Sequence, residues 1–314
     1  MYKKMKLLNQ LYRISSPSGH EAGMMKFIRR SLDRLGVAHI TDHAGNIYAT
    51  KGVAESYPCI ISHTDEVHSF HKKGYDVVHA KSNSKKIIFG FNYLTRDHCG
   101  IGADDKNGIW ICLKCLEEFD IMKCVFFVGE EIGCQGSSQA DMKFFDDCRF
   151  VLQCDRKGNS DIVTNYCGHA LCSDEFLHDA NPEKFGYRQS DGLITDVITL
   201  KTKDLQVSCA NLSCGYYLPH TSHEFTCVED LMKCYRFVRH IIKNCKKTYY
   251  HKAVNNYANK CLPFSPFSRL RYWDDFNSYE PMNDAFDRKY NQYAPVNSFQ
   301  RTGKKPVYPS CGYD

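Results

Sequence analysis

Apolar positions in the first 250 residues recur with two periods, and each change of period marks a change of element. Residues 4–14 carry helical spacing. In "SGHE", Ser18 with Glu21 three positions on has the form of a capping box, predicting a helix that stops at Gly36. "VAHITDHAGNIYATKG" predicts a hairpin turning at Gly45-Asn46, and "YPCIIS" a short strand running into His63. "YDVVHA" and "KKIIFGF" around "KSNS" predict a second hairpin. Ile109, Leu113 and Leu116 predict a buried helix over 107–119. Strands are expected at 124–128, at 149–154 and around 205–210. Thr226 and Glu229 form a second capping-box pattern, opening a helix to about 247 with Leu231, Tyr235, Val238 and Ile242 inside. Strands alternating with helices predict an α/β fold, a mixed, mostly parallel sheet sandwiched by helices.

Neither period survives beyond about residue 250. Six of the ten prolines lie between Pro263 and Pro309, among Tyr, Phe, Asn and Asp. The expected organisation is therefore a domain over 1–249 and a Pro- and aromatic-rich tail or extended arm over 250–314.

Composition narrows the class. Of 314 residues, 43% are hydrophobic and 25% charged, as in globular proteins generally. The net charge of +5 is spread without a basic block, which argues against a nucleic-acid partner. No run reaches the roughly 18 apolar residues of a membrane span. The seventeen cysteines lack disulfide-framework spacing, and many sit in apolar runs (Cys59, Cys112, Cys115, Cys124, Cys209). A cytoplasmic protein in a reducing compartment is expected. "CLKC" (Cys112, Cys115) has no second pair at metal-binding spacing, so core packing is its expected role.

Candidate chemistry gathers where the predicted strands end. In "KCVFFVGEEIGCQGSSQAD" an apolar run leads straight into Glu130 and Glu131. Two adjacent carboxylates beside a buried strand repel each other and lose hydration, so a positive charge is expected against them. "IISHTDEV" supplies His63 and Asp65, "GIGADDKNG" supplies Asp104 and Asp105, "FVLQCDRKG" supplies Asp155, and "GYYLPHTSHEF" supplies His220. Open α/β sheets build sites at such strand ends. Two divalent ions about 3.5–4 Å apart want a bridging carboxylate with imidazole and carboxylate on each side. One His and one acid would serve each ion, a fifth ligand, a carboxylate, would bridge, and the spare acid of the Glu pair would be the base. The plainer readings are a solvated turn for Glu130-Glu131 and a helix N-cap for Asp104-Asp105.

"SPSGHE", "HTDEV", "GADDKNGI", "GEEIGCQGS" and "PHTSHEF", in that order, resemble the blocks of the co-catalytic zinc peptidase clan (families M20, M28 and M42), which includes tripeptidases similar to peptidase T. The resemblance covers roughly residues 5–245. It implies two divalent ions, Zn²⁺ with Mn²⁺ or Co²⁺ as alternatives, and carries roles to matching positions. His63, Asp104, Glu131, Asp155 and His220 resemble the ligands, with Asp104 as the bridge. Glu130 resembles the general base, and Asp65 the acid that orients the His63 imidazole. It further implies a cis peptide between Asp104 and Asp105, and it favours His220 over His223 because Glu224 follows His220 by four residues.

The chain departs from the clan in one respect. About 40 residues separate His63 from Asp104 and about 35 separate Asp155 from "SDGLITDV", too few for a large inserted lid or dimerisation domain. Substrate-gripping residues drawn from such a domain do not carry over. Asp191 and Asp196 are weak cleft candidates, and Tyr216 or Tyr217 a weak source of an oxyanion hydrogen bond. The expected activity is exopeptidase cleavage of short peptides, of aminopeptidase or tripeptidase type. The alternatives are a deacylase of N-acyl amino acids with the same site, and a non-catalytic metal-binding or scaffold protein. The expected partner is a short peptide or amide, with no nucleic acid and no membrane; the pattern leaves the oligomeric state open.

Overall fold

The computed structural model describes residues 2–252, so nearly all of the predicted tail 250–314 lies outside the described residues. The chain opens with α1 (Tyr2–Tyr12) and α2 (Ala22–Arg34), then β1 (Ala38–Thr41), β2 (Ile47–Lys51) and β3 (Tyr57–His63). A meander follows: β4 (Tyr75–Ser82), β5 (Lys85–Asn92) and β6 (Asp97–Cys99). Next come α3 (Ala103–Glu118), β7 (Met122–Phe127), the short α4 (Gln135–Ser138), β8 (Cys148–Arg156), β9 (Asp161–Tyr166) and β10 (His169–Ala170). The last third holds α5 (Asp174–Ala180), β11 (Arg188–Asp191), α6 (Asp196–Thr202), β12 (Cys209–Ser213), β13 (Tyr216–Tyr217), β14 (Phe225–Cys227) and α7 (Val228–Asn244).

Nine strands form the main sheet in the order β1-β2-β7-β3-β8-β12-β9-β10, with β11 also on β9. β7, β3, β8 and β12 are parallel neighbours; the pairs β1-β2, β2-β7, β12-β9 and β9-β10 are antiparallel. Along the central strands, successive side chains enter opposite cores. Ile60, Cys124, Phe126 and Leu152 join residues of α1, α2, α3 and α7, while Cys59, Ile61, Val125, Phe127 and Val151 join Val197, Ile198 and Leu200 of α6. A sheet covered on both faces needs apolar residues at odd and even positions alike, which is why these strands read as unbroken apolar runs. Cys112 and Cys115 are fully buried in the first core, as their context predicted.

The segment between His63 and Asp104 contributes β4, β5 and β6, which join β13 and β14 in a second, five-stranded sheet. Among the described residues there is thus no large inserted lid. Nor is any of their helices long and apolar enough to cross a membrane.

Both expected capping boxes fail, for the same physical reason. Glu21 caps α2 by backbone alone, and its carboxylate accepts from the Gly129 N–H (3.2 Å), while the Ser18 hydroxyl donates to Asp65 (2.7 Å). Thr226 bonds Tyr12 and Asn107, and Glu229 accepts from the Lys86 N–H. Distant partners outcompete the local cap. The strand expected at 205–210 begins later, at Cys209; β11, β13 and β14 escape the periodic reading because they are short, and the largely buried β9 escapes it too.

Candidate metal centre

The parallel strands end on the chemistry. His63 is the last residue of β3, Asp155 the penultimate residue of β8, and β7 leads through Val128 and Gly129 to Glu130 and Glu131. α3 carries Asp104 and Asp105 in its first turn, joined by a cis peptide, and both have non-helical backbone there. The turn after β13 brings in His220, whose φ of +63° lies in the left-handed region.

Asp104 stands at the centre, with one oxygen toward each histidine. Its Oδ1 is 3.1 Å from His63 Nε2 and its Oδ2 3.2 Å from His220 Nε2. His63 Nε2 also faces Asp155 Oδ1 at 3.7 Å, and His220 Nε2 faces Glu131 Oε1 at 3.2 Å. The geometry therefore divides into two halves, His63 with Asp155 and His220 with Glu131, that share Asp104.

The chemistry of the donors fits divalent cations. Glu131 Oε1 and His220 Nε2 are buried, close together, and without a hydrogen-bond partner, which a cation between them would remedy. His63, Asp104 and Glu131 present ligand atoms within 4.8 Å of one another, as do His63, Asp105 and Asp155. In the second group Asp105 already accepts from the Ser62 hydroxyl (2.6 Å) and from the Gly108 N–H (2.9 Å). Protein donors thus satisfy Asp105, and Asp104 is the better-placed carboxylate.

Electrostatics point the same way. Burial, followed by Asp196, Glu131 and Asp104, pushes the Glu130 carboxyl well above the usual range, against the opposing pull of His63. Burial and Asp104 likewise raise Glu131, and burial with Asp104 and Asp105 raises Asp155. Burial would lower His220, but Asp104 and Glu131 outweigh it and lift the imidazole to about 11. Four carboxylates gathered out of water repel one another, and bound cations would reverse that penalty.

Neighbouring residues hold the cluster in shape. The His63 Nδ1 lies 3.3 Å from Asp65 Oδ1, and the two Asp65 oxygens accept from the Glu130 and Glu131 N–H groups at 3.0 and 3.1 Å. Asp65 therefore locks both the imidazole and the Glu-Glu turn. The Tyr216 hydroxyl and the Gln153 amide donate to Asp155, whose backbone is pinned on both sides by Asn211.

Three supports went unread in the sequence. Glu224 accepts from the N–H groups of Ile101, Gly102 and Asp104 and from His68. Buried Glu66 pairs with buried Lys106 at 3.0 Å and also accepts from the Ser16 N–H. Gly102, at φ +61°, sits against both: an added Cβ would lie 2.0 Å from Glu66 Oε2 and 2.7 Å from Lys106 Nζ. Gly102→Ala should then cost at least about 1–3 kcal/mol through overpacking, with further loss from the left-handed backbone. The urea midpoint measures it, and an unchanged midpoint would refute this account of Gly102.

Of the weaker candidates, Tyr216 alone bonds a site acid. His223 is exposed and packs on His98 (5.0 Å between rings). Tyr217 stacks on Phe225 and donates to Asp230, so Tyr216 is the tyrosine that bonds a site acid. Asp191 is exposed at the end of β11. Asp196 is completely buried behind the Glu130 turn, accepting from Ser137 (2.6 Å).

No family model and no curated protein matches the chain. Its fold, however, recurs in solved aminopeptidase structures. Aminopeptidase PepT from Bacillus cereus is 16% identical, with TM-score 0.58 over 77% of this chain and 98% of that one. A tripeptidase from Staphylococcus aureus is 15% identical, with TM-score 0.59 and the same coverage. A TET aminopeptidase from a marine-sediment archaeon of the Thaumarchaeota is 14% identical, with TM-score 0.60 over 77% of this chain and 97% of that one. The chain thus has the α/β fold of these aminopeptidases, the one its five blocks led us to expect.

Proposed function

We propose that this chain is a two-metal exopeptidase acting on short peptides, of aminopeptidase or tripeptidase type. The observation that carries the reading is the Asp104 carboxylate, turned with one oxygen to His63 and the other to His220. In this reading His63 and Asp155 would hold one ion, Glu131 and His220 would hold the other, and Asp104 would serve both. Two imidazoles and three carboxylates suit Zn²⁺, with Mn²⁺ or Co²⁺ as alternatives. Such ions, when bound, supply Lewis acidity that acidifies water and polarises a carbonyl oxygen. Glu130 takes the proton from the attacking water on its carboxylate and returns it to the leaving amine. Asp65 keeps the His63 ring aimed and fixes the backbone from which Glu130 projects. Residues 1–249 carry this activity.

A panel of free di- and tripeptides, N-blocked peptides and N-acyl amino acids tests the reading after chelation and metal restoration. Metal-restored cleavage of the free peptides is expected. Turnover of N-acyl amino acids alone would move the activity to a deacylase and contradict the proposal.

A further inference from the structure

The cluster of acids and histidines carries no side chain that would grip an apolar residue, yet its surroundings do. Among the described residues, six of the eleven exposed large apolar side chains lie on four loops beside it: Val67, Phe70, Ile132, Leu193, Ile194 and Leu218. They are 38–58% exposed, although each is within five residues of Asp65, Glu131, Asp196 or His220.

Hydrogen bonds and close polar contacts tie these loops together around the site. Asp65 accepts from the Glu130 and Glu131 N–H groups, which sets the Val67–Phe70 loop against the loop of Ile132. His220 Nε2 is 3.2 Å from Glu131 Oε1, which brings Leu218 to the same loop. Asp196 accepts from Ser137, which joins the Leu193–Ile194 loop to the turn that follows Ile132. Phe70 packs on His20 (5.5 Å between rings), close to Ser18, which donates to Asp65. The loops that carry these apolar residues thus form a rim around the carboxylates.

We propose that this rim is the specificity surface of the enzyme and that it selects peptides carrying a bulky apolar side chain next to the cleaved bond. The proposal rests on the peptidase reading above. Exposed apolar surface gathered at one place marks a site of contact. A stable partner covering all four loops would shut peptides out of the site they surround. The occupant compatible with turnover is one that comes and goes, namely an apolar substrate side chain that covers the rim while its backbone lies over the acids.

The test uses the full-length chain loaded with zinc or manganese, on Leu-Gly, Phe-Gly, Gly-Leu, Gly-Phe, Asp-Gly, Lys-Gly and Gly-Gly. A Leu- or Phe-containing dipeptide should exceed Gly-Gly, Asp-Gly and Lys-Gly about ten- to two-hundred-fold in kcat/KM. Ile132→Ser and Leu218→Ser should each shrink that ratio. Val53→Ser, exposed before the start of β3 at the end opposite His63, should leave it unchanged. Hydrolysis without apolar preference, or a preference intact in both rim variants, overturns the proposal and leaves the peptidase reading standing. Rim variants that dissociate an oligomer in light scattering while keeping the ratio also overturn it, since the rim is then an interface between copies. Cleavage of none of the peptides overturns both.

Discussion

Glu130→Gln should lower peptide turnover by about 10²–10⁴-fold, the usual contribution of a positioned general base. The amide has nearly the same shape, so the turn held by Asp65 through the Glu130 and Glu131 N–H groups should survive. Metal content should survive too, because neither proposed ion site counts Glu130 among its ligands. What disappears is a half-buried carboxylate that can take up a proton. Its surroundings already favour proton uptake, since burial and the neighbouring acids raise it well above the ordinary range. Single-turnover kinetics together with metal analysis read both halves of the prediction. Near-normal turnover in the variant would remove Glu130 from the mechanism. Lost metal would instead place it among the ligands.

The second large effect concerns stability. Lys106→Met should destabilise the fold by about 3–5 kcal/mol, the cost of leaving one member of a buried ion pair uncompensated. Lys106 and Glu66 are each 1% exposed, and the Lys106 ammonium also donates to the Ile101 carbonyl. The pair joins the loop after β3 to the first turn of α3, and so joins the segments that carry Asp65 and Asp104. Glu66→Leu added to Lys106→Met should recover part of the loss, because the orphaned charge is then gone. Chemical denaturation at neutral pH measures the series. A loss below about 1 kcal/mol in the single variant would mean that Glu66 finds water or another partner, contrary to this account.

How legible the site was depended on the kind of residue. His63, Glu130 and Glu131, and Asp155 stand at the ends of apolar runs, and burial on both faces of a parallel sheet makes such runs easy to see, whereas Asp104 opens α3. Their convergence follows from strand order, with β3 between β7 and β8. His220 was harder, since His223 lies three residues away in the same loop; what separates them is a left-handed backbone turn at His220. The supports were hidden for a different reason. Ser18 and Glu21 carry the local grammar of a helix cap, yet they serve Asp65 and Gly129 across the fold. Glu66 looks like an ordinary surface acid and Glu224 enters the sequence reading only through its spacing from His220; the three-dimensional approach of Lys106 and of three backbone N–H groups gives them their supporting roles. The β4–β6 meander was read as a hairpin, but its union with β13 and β14 required pairing across more than a hundred residues, which no local period encodes.

Metal stoichiometry tests the central claim most directly. Protein equilibrated with zinc, dialysed and analysed for metal should hold two ions per chain, and Asp104→Ala, which removes the shared carboxylate, should hold at most one. Two ions retained without Asp104, or none bound by the unaltered chain, would contradict the two-metal site.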